Sequence, residues 1–206
     1  LDEGTETTAY DSWGTNNGTL TNGPTWVTSG CVSSNCLSFD GTDDYVEVLN
    51  NATLNLDDGD KGTLSTWIKV NSWPSSGYPS IVTKGTSAGG WSSGSYHISI
   101  WSDRIHFVIY ENGSTYNSVD LINLPSINSW HYLVMTWSGT NGGKLKAYLN
   151  SLPITSGTTQ TVKADLRATQ NFRIGSTTSY FFNGLIDDIK LYNTAISNSQ
   201  IEQNYF

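Results

Sequence analysis

The segment of the sequence best suited to chemistry is short and acidic. It carries three carboxylates, at Asp40, Asp43 and Asp44, around an Asp-Gly turn signal at Asp40 and Gly41. Carboxylates crowded in this way need a cation, a set of backbone N–H donors, or exposure to solvent. The segment therefore predicts either a cation site, for which Ca²⁺ suits the oxygen ligands, or a turn built on Asp40.

A second acidic pair, Asp187 and Asp188, lies within a strand-like run at 184–192. We expect this run to pair with the stretch 37–48, which holds the first three carboxylates, and so to close one sandwich. The alternative to a metal role is that Asp187 or Asp188 accepts hydrogen bonds from backbone N–H groups.

Three strand-like runs, 96–101, 104–110 and 144–150, place rings and polar groups on one side. Successive side chains of a strand point to opposite faces, so the apolar positions are expected to face the core. The remaining positions offer stacking surfaces and hydrogen-bond donors, as a sugar ring requires. With one loop aromatic added, the predicted ligand-binding residues are His97, Trp101, His106, Tyr110, Tyr148 and Trp91. The loop aromatics Trp73, Tyr78, Trp91 and Tyr116 are expected to wall this face. The alternative is that these aromatics only cover the second sheet or a neighbouring domain.

Signals for catalysis are weak. The Gly-Trp-Ser-Ser-Gly spelling at 90–94 matches a nucleophile elbow, but it lies between two strands and lacks the helix that an elbow needs. The glutamates are scattered, and the three histidines form no metal-binding pattern. We therefore expect no catalytic residues.

The composition bounds the class of protein. With 206 residues, of which 36% are hydrophobic and 12% aromatic, the chain can build a core from a few large side chains, and we expect one domain spanning 1–206. A net charge of −8 argues against a nucleic-acid partner. The sequence has no run of about 18 or more apolar residues, so it predicts no segment that spans a membrane. Because the chain starts at Leu1 without a leader, we expect a processed or excised piece.

Cys31 and Cys36 are the only cysteines. A pair this close can bridge a small loop, which contributes about 2 kcal/mol in the chain-entropy model. Two free thiols, or half of a metal site, are the alternatives, although no second pair exists to complete a zinc site. We predict the disulfide, and with it an oxidising, extracellular compartment.

Strand signals recur along the chain and must position these groups. The clearest strands are predicted at 63–70 and 130–137, and only 197–205 predicts a helix, where Ser197 and Gln200 have capping-box spacing. Many short strands separated by turns predict an all-β fold, a two-sheet antiparallel jelly-roll sandwich with at most one short C-terminal helix.

Four stretches occur together in the order of a known family: LSFDGTDDYV at 37–46, WIK at 67–69, WHYLVMT at 130–136 and GLIDDIKLY at 184–192. Over almost the whole chain they resemble the laminin G-like (LamG-like) branch of the concanavalin A-like lectin/glucanase superfamily. The resemblance implies one convex and one concave sheet, neighbouring first and last strands, and a structural calcium. The implied metal ligands are Asp40, Asp43, Asp44, Asp187 and Asp188.

The family that the chain resembles contains lectins, glycan-binding modules, adhesion domains and glycosidases, so the fold narrows function only by analogy. We predict a non-catalytic carbohydrate-binding module of an extracellular or cell-surface protein, with a polysaccharide or glycan as ligand and neighbouring domains as further partners. The alternative is a structural or protein–protein adhesion domain, or a subunit of an extracellular filament or surface layer, without a glycan ligand.

Overall fold

The computed structural model describes residues 1–56, 61–87, 90–112, 115–138, 144–155 and 168–206, without side chains at 86–87, 90–94, 111–112 and 115. The described residues form two antiparallel sheets, a short 3₁₀ helix (Ala52–Leu54) and one α-helix, α1 (Asn198–Tyr205). This architecture confirms the predicted all-β sandwich with one short C-terminal helix. Within the described part of the chain, no helix is long and apolar enough to cross a membrane.

Among the described residues, sheet A contains eight strands, in the spatial order β1 (Thr8–Ala9), β2 (Gly18–Thr21), β5 (Tyr45–Val48), β14 (Phe172–Ile174), β7 (Ser80–Ser87), β8 (Gly90–Trp101), β9 (Arg104–Asn112) and β10 (Thr115–Leu121). The hairpin that joins β8 to β9 turns at Ser102 and Asp103, as the sequence predicts.

The described part of sheet B contains seven strands, in the order β13 (Leu152–Ile154), β12 (Lys146–Leu149), β11 (Trp130–Ser138), β6 (Lys61–Val70), β15 (Asn183–Tyr192), β4 (Cys36–Asp40) and β3 (Thr25–Val27). The two clearest predicted strands, β6 and β11, lie side by side inside this sheet.

The expected pairing of 37–48 with 184–192 is confirmed for its first half. β4 pairs with β15 in sheet B, whereas β5 belongs to sheet A. The acidic segment between β4 and β5 is therefore the connection that carries the chain from one sheet to the other.

The main core lies between the inner faces of the two sheets. Tyr96 of sheet A and Trp137 of sheet B are fully buried there, with ring centroids 5.8 Å apart. The positions predicted to face inward on β8, Tyr96, Ile98 and Ile100, all belong to this core. Their burial fixes the opposite direction for the residues between them.

One inward position of sheet A is charged. The ammonium group of Lys84, fully buried, donates to Asn50 Oδ1 at 2.8 Å, to Gln170 O at 2.7 Å, and to Ala168 O. Burial lowers the pKa of Lys84 to about 8. This side chain joins the segment that follows β5 to the segment that precedes β14, and both strands lie on the same side of β7 in sheet A.

The outer face of sheet B is covered by α1. Trp67 of β6 stacks on Tyr132 of β11 and on Tyr205 of α1, with centroid distances of 5.1 and 5.4 Å. The helix starts with the predicted capping box, in which Ser197 N donates to Gln200 Oε1 at 2.9 Å and Gln200 N to Ser197 Oγ at 3.3 Å. Trp67 is therefore a packing residue, buried between sheet B and α1.

The predicted disulfide between Cys31 and Cys36 is present, with the two Cα atoms 5.6 Å apart. It joins the loop after β3 to the first residue of β4.

Candidate functional site

Most of the predicted ligand-binding residues lie on the outer face of sheet A. In the strand register, His106 of β9 stands opposite Ser99 of β8 on one side and Asp120 of β10 on the other. Because alternate residues face the core, these three side chains point away from it. The same alternation places four predicted residues on this outer face: His97, Trp101, His106 and Tyr110.

These side chains belong to a continuous series of ring contacts. Tyr180 meets Tyr78 (centroids 5.8 Å apart), Tyr78 meets Trp101 (4.9 Å), and Trp101 meets His106 (4.7 Å). Beyond His106 the series continues through Tyr116 (6.4 Å) to Tyr110 (5.3 Å from Tyr116). His97 contacts Tyr110 at 6.0 Å. We call this set the aromatic strip; its residues are Tyr78, His97, Trp101, His106, Tyr110, Tyr116 and Tyr180.

The aromatic strip is buried at its centre and accessible at its margins. His97 and His106 are 1% and 7% exposed, so neither imidazole offers a free surface. By contrast, Tyr78, Tyr116 and Tyr180 are 44–47% exposed, and Trp101 and Tyr110 are partly exposed. A ligand would therefore contact the tyrosines and Trp101, while the histidines support them from below.

A charged group borders the strip beside His106. Asp120 accepts a hydrogen bond from Arg104 Nη1 at 3.0 Å through one oxygen and contacts His106 Nδ1 through the other. Arg104 also lies 5.8 Å from the ring centroid of Trp101, within cation–π range. The sequence did not single out Arg104 or Asp120 as site residues.

Burial disfavours the charged form of both histidines. Burial lowers the pKa of His97, with a further contribution from the neighbouring His106. Burial also lowers the pKa of His106, although the hydrogen bond with Asp120 opposes this change. A neutral His106 whose Nδ1–H donates to Asp120 keeps Nε2 as an acceptor.

The row Ser99, His106 and Asp120 contains the residue types of a hydrolytic triad. Its geometry is not that of an activated nucleophile, because Ser99 Oγ is buried and makes no hydrogen bond to His106 or to any other described group. The contact with Asp120 holds the His106 ring in position within the aromatic strip, and the geometry of the row gives no argument for catalysis.

Two predicted ligand residues are not placed with the others. Tyr148 lies on β12 in sheet B, where it is 3% exposed and its hydroxyl donates to Asn198 Oδ1 at 2.9 Å. The expectation that Tyr148 shares the outer face of β8 and β9 is wrong. The alternation of side chains predicts which residues of a strand share a face, but it does not predict to which of the two sheets the strand belongs. The backbone of Trp91 pairs with Thr86; its side chain lies outside the described part of the structure.

The five predicted metal ligands do not form one group, so the joint set is wrong. Asp187 lies beside the disulfide loop, where its carboxylate accepts hydrogen bonds from Val32 N (2.9 Å), Ser33 N (3.0 Å) and Asp188 N (2.7 Å). The Asp188 carboxylate pairs with Lys190 Nζ at 2.7 Å. Both carboxylates thus have protein partners, and Asp187 is a backbone acceptor, as in the alternative interpretation.

The other three carboxylates do converge. Oxygens of Asp40, Asp43 and Asp44 lie within 4.8 Å of one another. Asp44 is 5% exposed and accepts a hydrogen bond from Asp40 N at 3.0 Å, while Asp40 accepts one from Thr42 N at 2.7 Å. Burial raises the pKa of Asp44, and the neighbouring carboxylates add to this. A divalent cation would relieve this crowding, so the donor set fits Ca²⁺ as a partial ligand shell.

Comparison with known proteins identifies the fold. A family model, Laminin_G_3, described as the concanavalin A-like lectin/glucanases superfamily, matches residues 40–202. No curated protein gives a significant match.

Solved structures with the same fold include botulinum neurotoxin domains. One concerns botulinum neurotoxin type C, whose cell entry is described as dependent upon interaction with two ganglioside molecules (TM-score 0.73, 16% identity, 98% of this chain and 49% of that chain). Another is the binding domain of botulinum neurotoxin DC in complex with rat synaptotagmin II (TM-score 0.69, 15% identity, 98% and 49%). The chain spans about half the length of these structures.

Proposed function

Since the chain belongs to the concanavalin A-like lectin/glucanases superfamily, we propose that it is a non-catalytic domain that binds glycans through the aromatic strip. The observation that carries this proposal is the unbroken series of ring contacts that runs from Tyr180, in the connection between β14 and β15, to Tyr110 on the outer face of sheet A. An accessible aromatic surface of this kind is typical of a binding site.

The chemistry of the strip suits sugars. A pyranose has C–H faces that stack on aromatic rings and hydroxyl edges that need hydrogen-bond partners. The exposed rings of Tyr78, Tyr116 and Tyr180 supply both, because each carries a phenolic hydroxyl beside its apolar face. Arg104 and Asp120 add a donor and an acceptor at the margin. The ganglioside interaction described for a protein of similar fold supports this class of ligand by analogy.

An extracellular or cell-surface location is part of the same proposal. The Cys31–Cys36 disulfide supports it, because disulfides persist in oxidising compartments.

A broad polysaccharide screen tests the proposal. In native gels that contain one neutral or acidic polysaccharide each, the protein is expected to be retarded by at least one polymer relative to a gel without polymer. A non-binding protein of similar size and charge serves as the mobility control. Unchanged mobility in every gel would rule out the glycan-binding function.

Protein adhesion without a glycan ligand is the competing function. One protein of similar fold was solved in complex with rat synaptotagmin II, which favours a protein contact by analogy. The screen separates the two functions, because this alternative requires that no polysaccharide retard the protein.

A structural calcium bound by Asp40, Asp43 and Asp44 is a further part of the proposal. If Ca²⁺ is present at about 100 times its dissociation constant, its removal with EDTA costs about 2.7 kcal/mol. For a chain of this size we expect the melting temperature to fall by about 5–10 °C. The Asp44→Asn variant keeps an oxygen acceptor for Asp40 N but loses the charge, so its melting temperature should not respond to EDTA.

Asp188→Asn is the matched control for the calcium measurement, because Asp188 pairs with Lys190 outside the carboxylate cluster. It should keep the full response to EDTA. An identical melting temperature of the wild-type protein with EDTA and with added Ca²⁺ would contradict the calcium site.

A further inference from the structure

A pocket of about 400 Å³ opens at one end of the sandwich. It lies where three connections meet: the turn between β4 and β5, the connection between β6 and β7, and the connection between β14 and β15. Its volume falls within the range of ligand-binding pockets. We call it the end pocket; the residues used below are Trp73, Ser75, Ser76, Tyr180, Phe181 and Asn183.

The described lining of the end pocket is uncharged. Its walls combine rings, from Trp73, Tyr180 and Phe181, with the hydroxyls of Ser75 and Ser76 and the Asn183 amide. None of the described lining residues is Asp, Glu, Lys, Arg or His, although the chain as a whole carries a net charge of −8. Such a lining matches an uncharged ligand that has both apolar faces and hydroxyl edges, and it offers no counter-charge to a phosphate or a carboxylate.

The wall formed by Tyr180 is fixed before any ligand binds. Thr177 Oγ1 accepts a hydrogen bond from Tyr180 N at 3.1 Å, and Thr177 N donates to Tyr180 O at 2.9 Å. The ring packs against Gly77, where a Cβ atom would lie 2.3 Å from Tyr180 Cδ1. Gly77 also has a φ of +81°, which favours glycine. A preformed wall reduces the ordering cost of binding.

The polar side of the pocket is oriented as well. Asn71 Nδ2 donates to the Asn183 Oδ1 atom at 3.1 Å, which fixes the amide and leaves Asn183 Nδ2 as a donor for a ligand hydroxyl. The deepest lining side chains, Ile100 and Phe182, are each 1% exposed. The pocket therefore has an apolar floor and a fixed amide at its side.

The end pocket is continuous with the aromatic strip. Tyr180 lines the pocket and is also the first ring of the strip, 5.8 Å from Tyr78, which in turn contacts Trp101. A glycan lying on the strip would thus reach the pocket at the Tyr180 end. Resting on the proposed glycan-binding function, we propose that the end pocket binds one terminal, uncharged pyranose of a glycan whose following residues lie on the aromatic strip.

Single sugars test the end pocket separately from the strip. The probes are the methyl glycosides of glucose, galactose, mannose and N-acetylglucosamine, measured by saturation-transfer difference NMR with the complete chain. At least one is expected to bind the wild-type protein with a millimolar dissociation constant. Ser75→Trp, which fills the pocket from an exposed position, and Phe181→Ala, which removes a ring, should each weaken this binding at least about tenfold.

Ser12→Trp is the matched control, because it adds the same bulk at an exposed serine outside the pocket lining and should leave the sugar affinity unchanged within about twofold. Retention on a polysaccharide without binding of any methyl glycoside would overturn the end pocket while leaving the strip intact. Equal sugar binding by the wild type and Ser75→Trp would also overturn it. Failure of both sugars and polysaccharides would overturn the proposed function as well.

Discussion

Trp101→Ala is expected to lower the affinity for a retained polysaccharide by at least about tenfold, and up to about 30-fold. Trp101 stands between Tyr78 and His106 in the aromatic strip, so its removal divides the strip into two separate groups of rings. Loss of a central aromatic contact typically costs about 2 kcal/mol, and 1.4 kcal/mol corresponds to a factor of ten. Affinity electrophoresis over a range of polymer concentrations measures the change, and Trp101→Phe should restore most of the affinity.

Trp13→Ala is the control for this measurement. Trp13 is 97% exposed, and its backbone N–H donates to Asp11 Oδ1 at 3.1 Å, a hydrogen bond that an alanine would keep. Its removal should leave retention unchanged within about twofold. If Trp13→Ala lost retention while Trp101→Ala kept it, the glycan site would not be the aromatic strip. Melting temperatures of both variants separate lost binding from lost folding.

The outer face of sheet A could be predicted largely from alternation. The apolar positions of 96–101 and 104–110 fix which residues face the core, so His97, Trp101, His106 and Tyr110 had to point outward. What alternation does not give is burial. The two histidines proved inaccessible, because burial depends on what lies over a face and not on the strand itself.

The partners supplied by distant elements could not be predicted. Asp120 comes from β10, whose alternation is weakened because the polar residue Asn117 and its neighbour Ser118 are both buried. Tyr180 comes from a connection with no strand period. The periodicity of the apolar residues in the sequence does not predict the contact between Tyr180 and Tyr78, because this contact depends on how two loops meet at one end of the sandwich.

The relative positions of the acidic residues could not be predicted either, because they depend on the register between β4 and β15. The sequence predicts correctly that β4 and β15 pair, but Asp40 stands opposite Asn183, and Asp187 lies four positions further along β15. At about 3.4 Å per residue, that offset amounts to roughly 14 Å, too far for one metal site. The order of the family motifs predicts which strands are neighbours. Whether two aspartates lie close enough to share a metal ion depends also on the register between those strands.

Lys84→Met is expected to lower the free energy of unfolding by about 2–4 kcal/mol at pH 7. The substitution keeps the length of the side chain but leaves Asn50 Oδ1, Gln170 O and Ala168 O without their shared donor. Ala168 O is a buried acceptor, and the loss of its partner costs about 1–3 kcal/mol. Loss of the charge-assisted hydrogen bonds to the less buried Asn50 and Gln170 adds to this cost, and relief of the buried charge offsets part of the sum. Urea unfolding measures the change, with Lys61→Met, at an exposed lysine, as the control that should stay within about 0.5 kcal/mol.

The pH dependence of stability distinguishes the charge of Lys84 from its packing. Burial lowers its pKa to about 8, against 10.5 for an unperturbed lysine, so between these values the unfolded chain binds more protons than the folded one. The cost of the buried charge is fully present below pH 8 and is relieved as pH rises. Wild-type stability should therefore gain about 1–2 kcal/mol relative to Lys84→Met between pH 8 and pH 9.5. A constant difference over this range would show that Lys84 keeps its proton and that its three oxygen acceptors outweigh burial.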